Sequence, residues 1–167
     1  MPLSLYNTTV PVFIRSLTEL LRLIEKGRAF ARRKNISEKR LIGARLAPDM
    51  LTFAGQVQYS YFTALDAAAG LSGKKAPAFA YDETSVAELA RNVRRTLAYL
   101  HSITPRDFSH AGRRRVPVYF DPSRKLPARR YITQLALPNF FFHMTAAYAI
   151  LRHIGVPLKK SDYLGKL

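Results

Sequence analysis

The chain has no cysteine among its 167 residues. That excludes disulfides, thiolate metal sites and a cysteine nucleophile, and it fits a reducing compartment, so the cytoplasm is the expected address. Acidic side chains are scarce: 11 Asp and Glu stand against 27 Lys and Arg, for a net charge of +16. Such an excess attracts polyanions without specifying a fold. Long apolar runs are missing as well. The stretch 135–151 comes nearest, but Pro138, Asn139 and His143 interrupt it, and a membrane span needs about 20 apolar residues. No membrane partner is expected. The first residues lack a basic stretch followed by a pure apolar core, so no secretory leader is expected either. There is no H-E-x-x-H, no carboxylate pair on one helix face and no glycine-rich phosphate loop, which leaves the motif signal for catalysis weak.

What is present is a globular composition, 48% hydrophobic, over a length that suits one domain, 1–167. Tyr6, Val10, Phe13, Leu17, Leu20 and Ile24 recur at spacings of three and four and predict a long amphipathic helix over 5–34. Pro11 must start or kink it. Asn35 reads as its stop, and Ser37 as the cap of a short turn in 36–48. Asp49 reads as the N-cap or first-turn acid of a mostly apolar helix over 49–69, closed by Gly70 and Gly73. Ser85 followed by Glu88 forms a capping box at the start of a third helix. In 104–130 four prolines exclude a long helix, while Val116, Val118 and Phe120 alternate with Pro117 and Tyr119 and predict a short edge hairpin. A last helix is expected over 130–153, perturbed by Pro138 and stopped by Gly155. The fold class is therefore all-α: a four-helix bundle with a short β-hairpin between the third and fourth long helices.

The stretch PNFFFH, 138–143, frames three phenylalanines with an amide and an imidazole. On a helix Asn139 and His143 lie roughly 40° apart and share a face. A buried polar group without a partner costs about 1–3 kcal/mol, so each needs a side chain, a water, a ligand or a metal. Gln58 falls with Leu51, Ala54, Phe62 and Leu65, an apolar face, and Gln56 falls with Asp49 and Phe53; one of the two glutamines must point inward. The expected pocket joins Gln58, Asn139 and His143, with Asp49, Gln56 and Tyr148 as neighbours. Its plain reading is a satisfied hydrogen-bond network. Basic clusters at 32–34, 74–75, 113–115 and 129–130 are scattered, as on a solvated surface. RRRVPVYF joins charge to aromatics, so Arg113, Arg114, Arg115, Arg129 and Arg130 are the candidates for polyanion binding.

HMTAAYAILRHIGVPL resembles the end of the last helix in the DinB-like (YfiT/DinB) four-helix bundles. There a His-x-x-x-His pair and a Gly-Gln precede Leu-Arg-x-x-Gly. ARLAPDM, QVQ, LPNFFFH and YAILRHIGVPL together resemble one bacterial branch catalogued as a domain of unknown function. The resemblance implies the bundle, a dimer and a cleft in which three histidines hold a divalent metal, one from the second helix and two from the last. His143 matches the last of these. Asn139 stands at the position four residues earlier, Gln58 falls near the second-helix ligand, and Thr145 and Ala146 replace the Gly-Gln. The expected function is a small-ligand or weak-metal pocket near His143. The alternatives are a metal-dependent transferase or hydrolase of DinB-like type, and a polyanion-binding protein.

Overall fold

The computed structural model describes residues 4–165. Four long helices make the bundle: α1 (Val10–Arg33), α3 (Phe53–Ser72), α4 (Val86–His101) and α6 (Leu137–His153). Shorter elements complete it: α2 (Glu38–Gly43), a hairpin of β1 (Arg115–Val118) and β2 (Asp121–Pro127), α5 (Ala128–Tyr131) and α7 (Lys160–Leu164). α1 packs on α4, and α3 lies between α4 and α6 while also touching α1. This central place explains its composition: a helix covered on several sides buries residues all round, here from Phe53 through Gln56, Ser60 and Thr63 to Leu71. α1 and α4 border solvent and bury one stripe each, Phe13–Leu17–Leu20–Ile24 and Val86–Leu89–Val93–Leu100.

The helix ends follow local chemistry. Pro11 sits in the first turn of α1, where its missing N–H is not needed, so the helix starts there and does not extend back to residue 5. The second long helix starts at Phe53, later than expected, because Thr52 and not Asp49 is its cap: the Thr52 hydroxyl accepts from the Gly55 N–H at 3.1 Å. Asp49 lies exposed in the preceding turn. Ser85 caps α4 through the Glu88 N–H at 3.2 Å, but the Glu88 carboxylate returns to the Thr84 N–H instead of Ser85. Asn35, Gly73 and Gly155 stop their helices at positive φ.

The predicted hairpin forms, with Tyr119 and Phe120 as its two-residue turn. Val116 and Val118 are buried, but Phe120 is 65% exposed because it tops the turn and does not continue the inward face. Gly70 lets β1 close onto α3; a Cβ there would lie 2.6 Å from Val116 Cγ1. The last helical run begins at Ala128 and passes through a π turn, Ile132–Ala136, into α6. The Leu137 N–H bonds to the Ile132 carbonyl, five residues back. Pro138 follows directly. In a regular helix its ring would strike the Gln134 carbonyl, and the wider turn relieves that clash. The extra residue also sets the phase of α6 relative to α5, so that Tyr131 before the turn and Asn139 and His143 after it all reach α3.

Candidate functional site

Three polar pairs run along the seam between α3 and the α5–α6 run. His143 Nδ1 lies 2.7 Å from Gln56 Oε1, Asn139 Nδ2 donates to Thr63 Oγ1 at 2.8 Å, and the Tyr131 hydroxyl donates to Asp66 at 2.5 Å. Gln56 and His143 are 1% and 7% exposed, so this pair belongs to the interior. Its proton can be assigned. Gln56 Nε2 donates to the Leu51 carbonyl at 3.4 Å, and a carbonyl only accepts. The amide oxygen must then face His143, Nδ1 must carry the proton, and Nε2 keeps a lone pair. Burial holds the imidazole pKa down to about 4, so the ring is neutral at pH 7. Tyr59 stacks on it with ring centroids 4.8 Å apart, and Phe142 meets its edge at 5.2 Å.

Gln58 does not join this group, which corrects the expectation that it faces Asn139 and His143. Two residues along a helix turn the side chain through about 200°, so Gln56 and Gln58 point opposite ways. Since α3 is apolar all round, the apolar company of Gln58 did not mark the α6 face. Gln58 instead donates to Glu83 Oε2 at 2.6 Å and to the Tyr81 carbonyl at 3.1 Å. Tyr61 and Asn92 donate to the other Glu83 oxygen at 2.5 and 2.6 Å. Burial alone would raise the Glu83 pKa, but these hydrogen bonds outweigh it and hold the carboxyl below its ordinary value. Tyr61 moves the opposite way, pushed up by burial and by Glu83. Two other expected neighbours are also elsewhere: Asp49 is in the turn before α3, and Tyr148 packs edge-on against Tyr163 of α7, centroids 5.7 Å apart.

Beside these groups lies a cavity of about 280 Å³ lined by Gln58, Tyr59, Phe62, Tyr81 and Tyr119. Tyr59 belongs to both regions, stacked on His143 and forming one wall of the cavity. Tyr81 is missing from the sequence expectations. Its signal was faint: an aromatic in an extended loop, held at φ 58°, a left-handed backbone that a tyrosine rarely adopts.

The basic candidates do not converge. Arg114 reaches the Ser72 carbonyl at the end of α3, Arg115 the Lys125 carbonyl and Arg130 the Gln134 amide. Arg113 and Arg129 are exposed.

The fold and the seam define a DinB-like helical bundle. The crystal structure of a DinB family member protein from Shewanella denitrificans is similar, with 35% sequence identity, 98% of this chain and 93% of that chain covered, and a TM-score of 0.92. A family model described as Domain of unknown function (DUF1993) matches residues 5–164, and the chain belongs to that family. No curated protein matches it.

The three-histidine metal that the DinB resemblance implies does not fit these residues. The His143 proton and the Gln56 oxygen are spent on each other, the Asn139 amide is committed to Thr63, and Gln58 is on another face of α3. Among the described residues no cluster of three His, Cys, Asp or Glu is placed to hold a metal. Neutral amides are poor ligands for the borderline metals that imidazole suits.

Proposed function

We propose that this protein binds a small organic molecule in the aromatic cavity beside His143, with no resident metal. The Gln56–His143 hydrogen bond carries this reading. It fixes the tautomer, so that a neutral ring offers Nε2 as an acceptor, while Tyr59 links that ring to the cavity wall. Ligand sites elsewhere share this make-up, mostly aromatic walls with few oriented polar groups. Gln58, Asn139 and His143 stay the proposed site residues, with altered roles. Gln58 lines the cavity, His143 presents the acceptor, and Asn139 fixes the seam behind it.

The test joins elemental analysis of untagged protein to NMR of the His143 ring nitrogens during a screen of small organic molecules. The expected result is no stoichiometric metal, a proton on Nδ1, and a screening hit that shifts both His143 and Tyr59. A stoichiometric metal that disappears in His143→Ala would overturn the reading in favour of a metal-dependent transferase or hydrolase. No helix among the described residues is long and apolar enough to cross a membrane. The dimer implied by the family resemblance and the cytoplasmic address expected from the lack of cysteine are part of the proposal, and light scattering tests the dimer.

A further inference from the structure

Apart from Gln58, the cavity beside His143 has walls of one kind. Tyr59, Phe62, Tyr81 and Tyr119 meet at steep angles. Phe62 stands 73° to Tyr59, 78° to Tyr81 and 79° to Tyr119, with centroids 6.0, 5.9 and 5.3 Å away, and Tyr59 stands 62° to Tyr119 at 6.5 Å. Rings so arranged form the sides of a box and do not fill one another's space as a stacked core would. Different elements supply them: α3 gives Tyr59 and Phe62, the 73–85 loop gives Tyr81, and the hairpin turn gives Tyr119. Two local features hold the outer walls in place. Tyr81 keeps its left-handed backbone with its carbonyl tied to Gln58, and Gly70 admits the hairpin.

The charge around the box runs against that of the chain. Six carboxylates, Glu19, Glu25, Glu38, Glu88, Asp107 and Asp162, are paired with Lys or Arg. Five carboxylates are in no such pair among the described residues, Asp49, Asp82, Asp121, Glu83 and Asp66, and the last two lie next to the box although the chain carries 27 basic side chains. Glu83 is held by three neutral donors, and Asp66 by the Tyr131 hydroxyl. Burial raises the Tyr81 pKa, and both carboxylates, which act on its hydroxyl, raise it further. Arg95, which shares Asn92 with Glu83, is turned to other partners. It lies 4.4 Å over the Phe79 ring and bonds Asn92, which separates it from Glu83. So the same aromatic cluster already holds one cation on its outer side, while the box next to it, with uncompensated negative charge behind, is open.

We infer that this box binds a small organic cation of the quaternary-ammonium class. Aromatic faces attract such a head group through their quadrupoles, a poorly hydrated cation loses little on leaving water, and the carboxylates complete the charge match. The inference rests on the reading of this face as a ligand pocket and names the ligand's chemistry.

The experiment titrates the full chain with choline and, separately, with its neutral carbon isostere, in which a tert-butyl group replaces trimethylammonium. Calorimetry reads affinity, and NMR reads the rings of Tyr59, Phe62, Tyr81 and Tyr119. Choline is expected to saturate a single site and the isostere to bind about tenfold more weakly. Phe62→Leu and Glu83→Gln should each weaken choline several-fold and leave the isostere unchanged; the wild-type comparison stands even if a variant folds poorly. Equal affinity for both probes overturns the cation but leaves the pocket reading standing. Absence of saturable binding by either overturns it too, and the pocket reading is then judged on the His143 nitrogens alone. Ring shifts that follow protein concentration instead of choline would assign the box to a second copy of the chain and overturn the inference.

Discussion

Gln56 and Gln58 stand two residues apart on one helix and end in opposite kinds of polar cluster. Gln56 lies in a buried, neutral pair with His143. Gln58 helps hold an ionised carboxylate, Glu83, beside an open aromatic box. The first cluster stays neutral because burial disfavours the imidazolium. The second stays charged because three donors converge on it. The contrast shows that burial sets the ionisation of the first group, and converging hydrogen-bond donors that of the second.

The comparison breaks most visibly at Glu83. Glu83→Ala leaves the Tyr61 hydroxyl and the Asn92 amide, both buried, without their acceptor. A loss on the order of 3 kcal/mol is expected in urea denaturation, much of it restored by Glu83→Gln. On the neutral side, Gln56→Leu strands His143 Nδ1–H in the interior, and about 1–3 kcal/mol should be lost. If Gln58→Leu proved as costly as Gln56→Leu, the difference drawn between the two glutamines would be wrong.

Titration sharpens the same contrast. Burial lowers the folded His143 pKa to about 4 from an ordinary 6.5. As pH falls, the unfolded chain takes up this proton first. The stability that neutral His143 contributes is complete above about 6.5 and is lost between there and about 4. Glu83, with its lowered pKa, loses its contribution only as pH falls below the ordinary carboxylate value of 4.5. Asp66, raised by burial, has the opposite slope. Stability measured from pH 6.5 to 4.5 in wild type and in His143→Leu isolates the imidazole, and identical slopes would contradict its burial. The smallest effect belongs to the basic surface. Arg129→Ala should change stability by less than about 0.5 kcal/mol. If instead it removed a salt-sensitive affinity for DNA, the scattered arginines would have to act as one patch.

Much of the frame was legible in the sequence. The stripes of α1 and α4 are one-sided because each helix borders solvent, and a one-sided stripe can be read from spacing alone. Ser85, Asn35, Gly73 and Gly155 marked helix ends through chemistry that acts within a few residues. The α3 partner of His143 was not legible. α3 touches α1, α4 and α6, so apolar residues on every face hid which side met α6. The π turn before Pro138 was equally hidden, although it decides the phase of Asn139 and His143 against α3.

The sequence by itself determined the four long helices, the hairpin, and the need for a partner at each of two polar groups in PNFFFH. These follow from periodicity, capping and the cost of an unpaired buried dipole, all local properties. Only the tertiary structure decided that His143 meets Gln56, that Glu83 gathers Gln58, Tyr61 and Asn92, and that four aromatic rings from three separate segments enclose one cavity. Such meetings depend on the rotation of one helix against another and on where a loop returns, and no spacing along the chain encodes them.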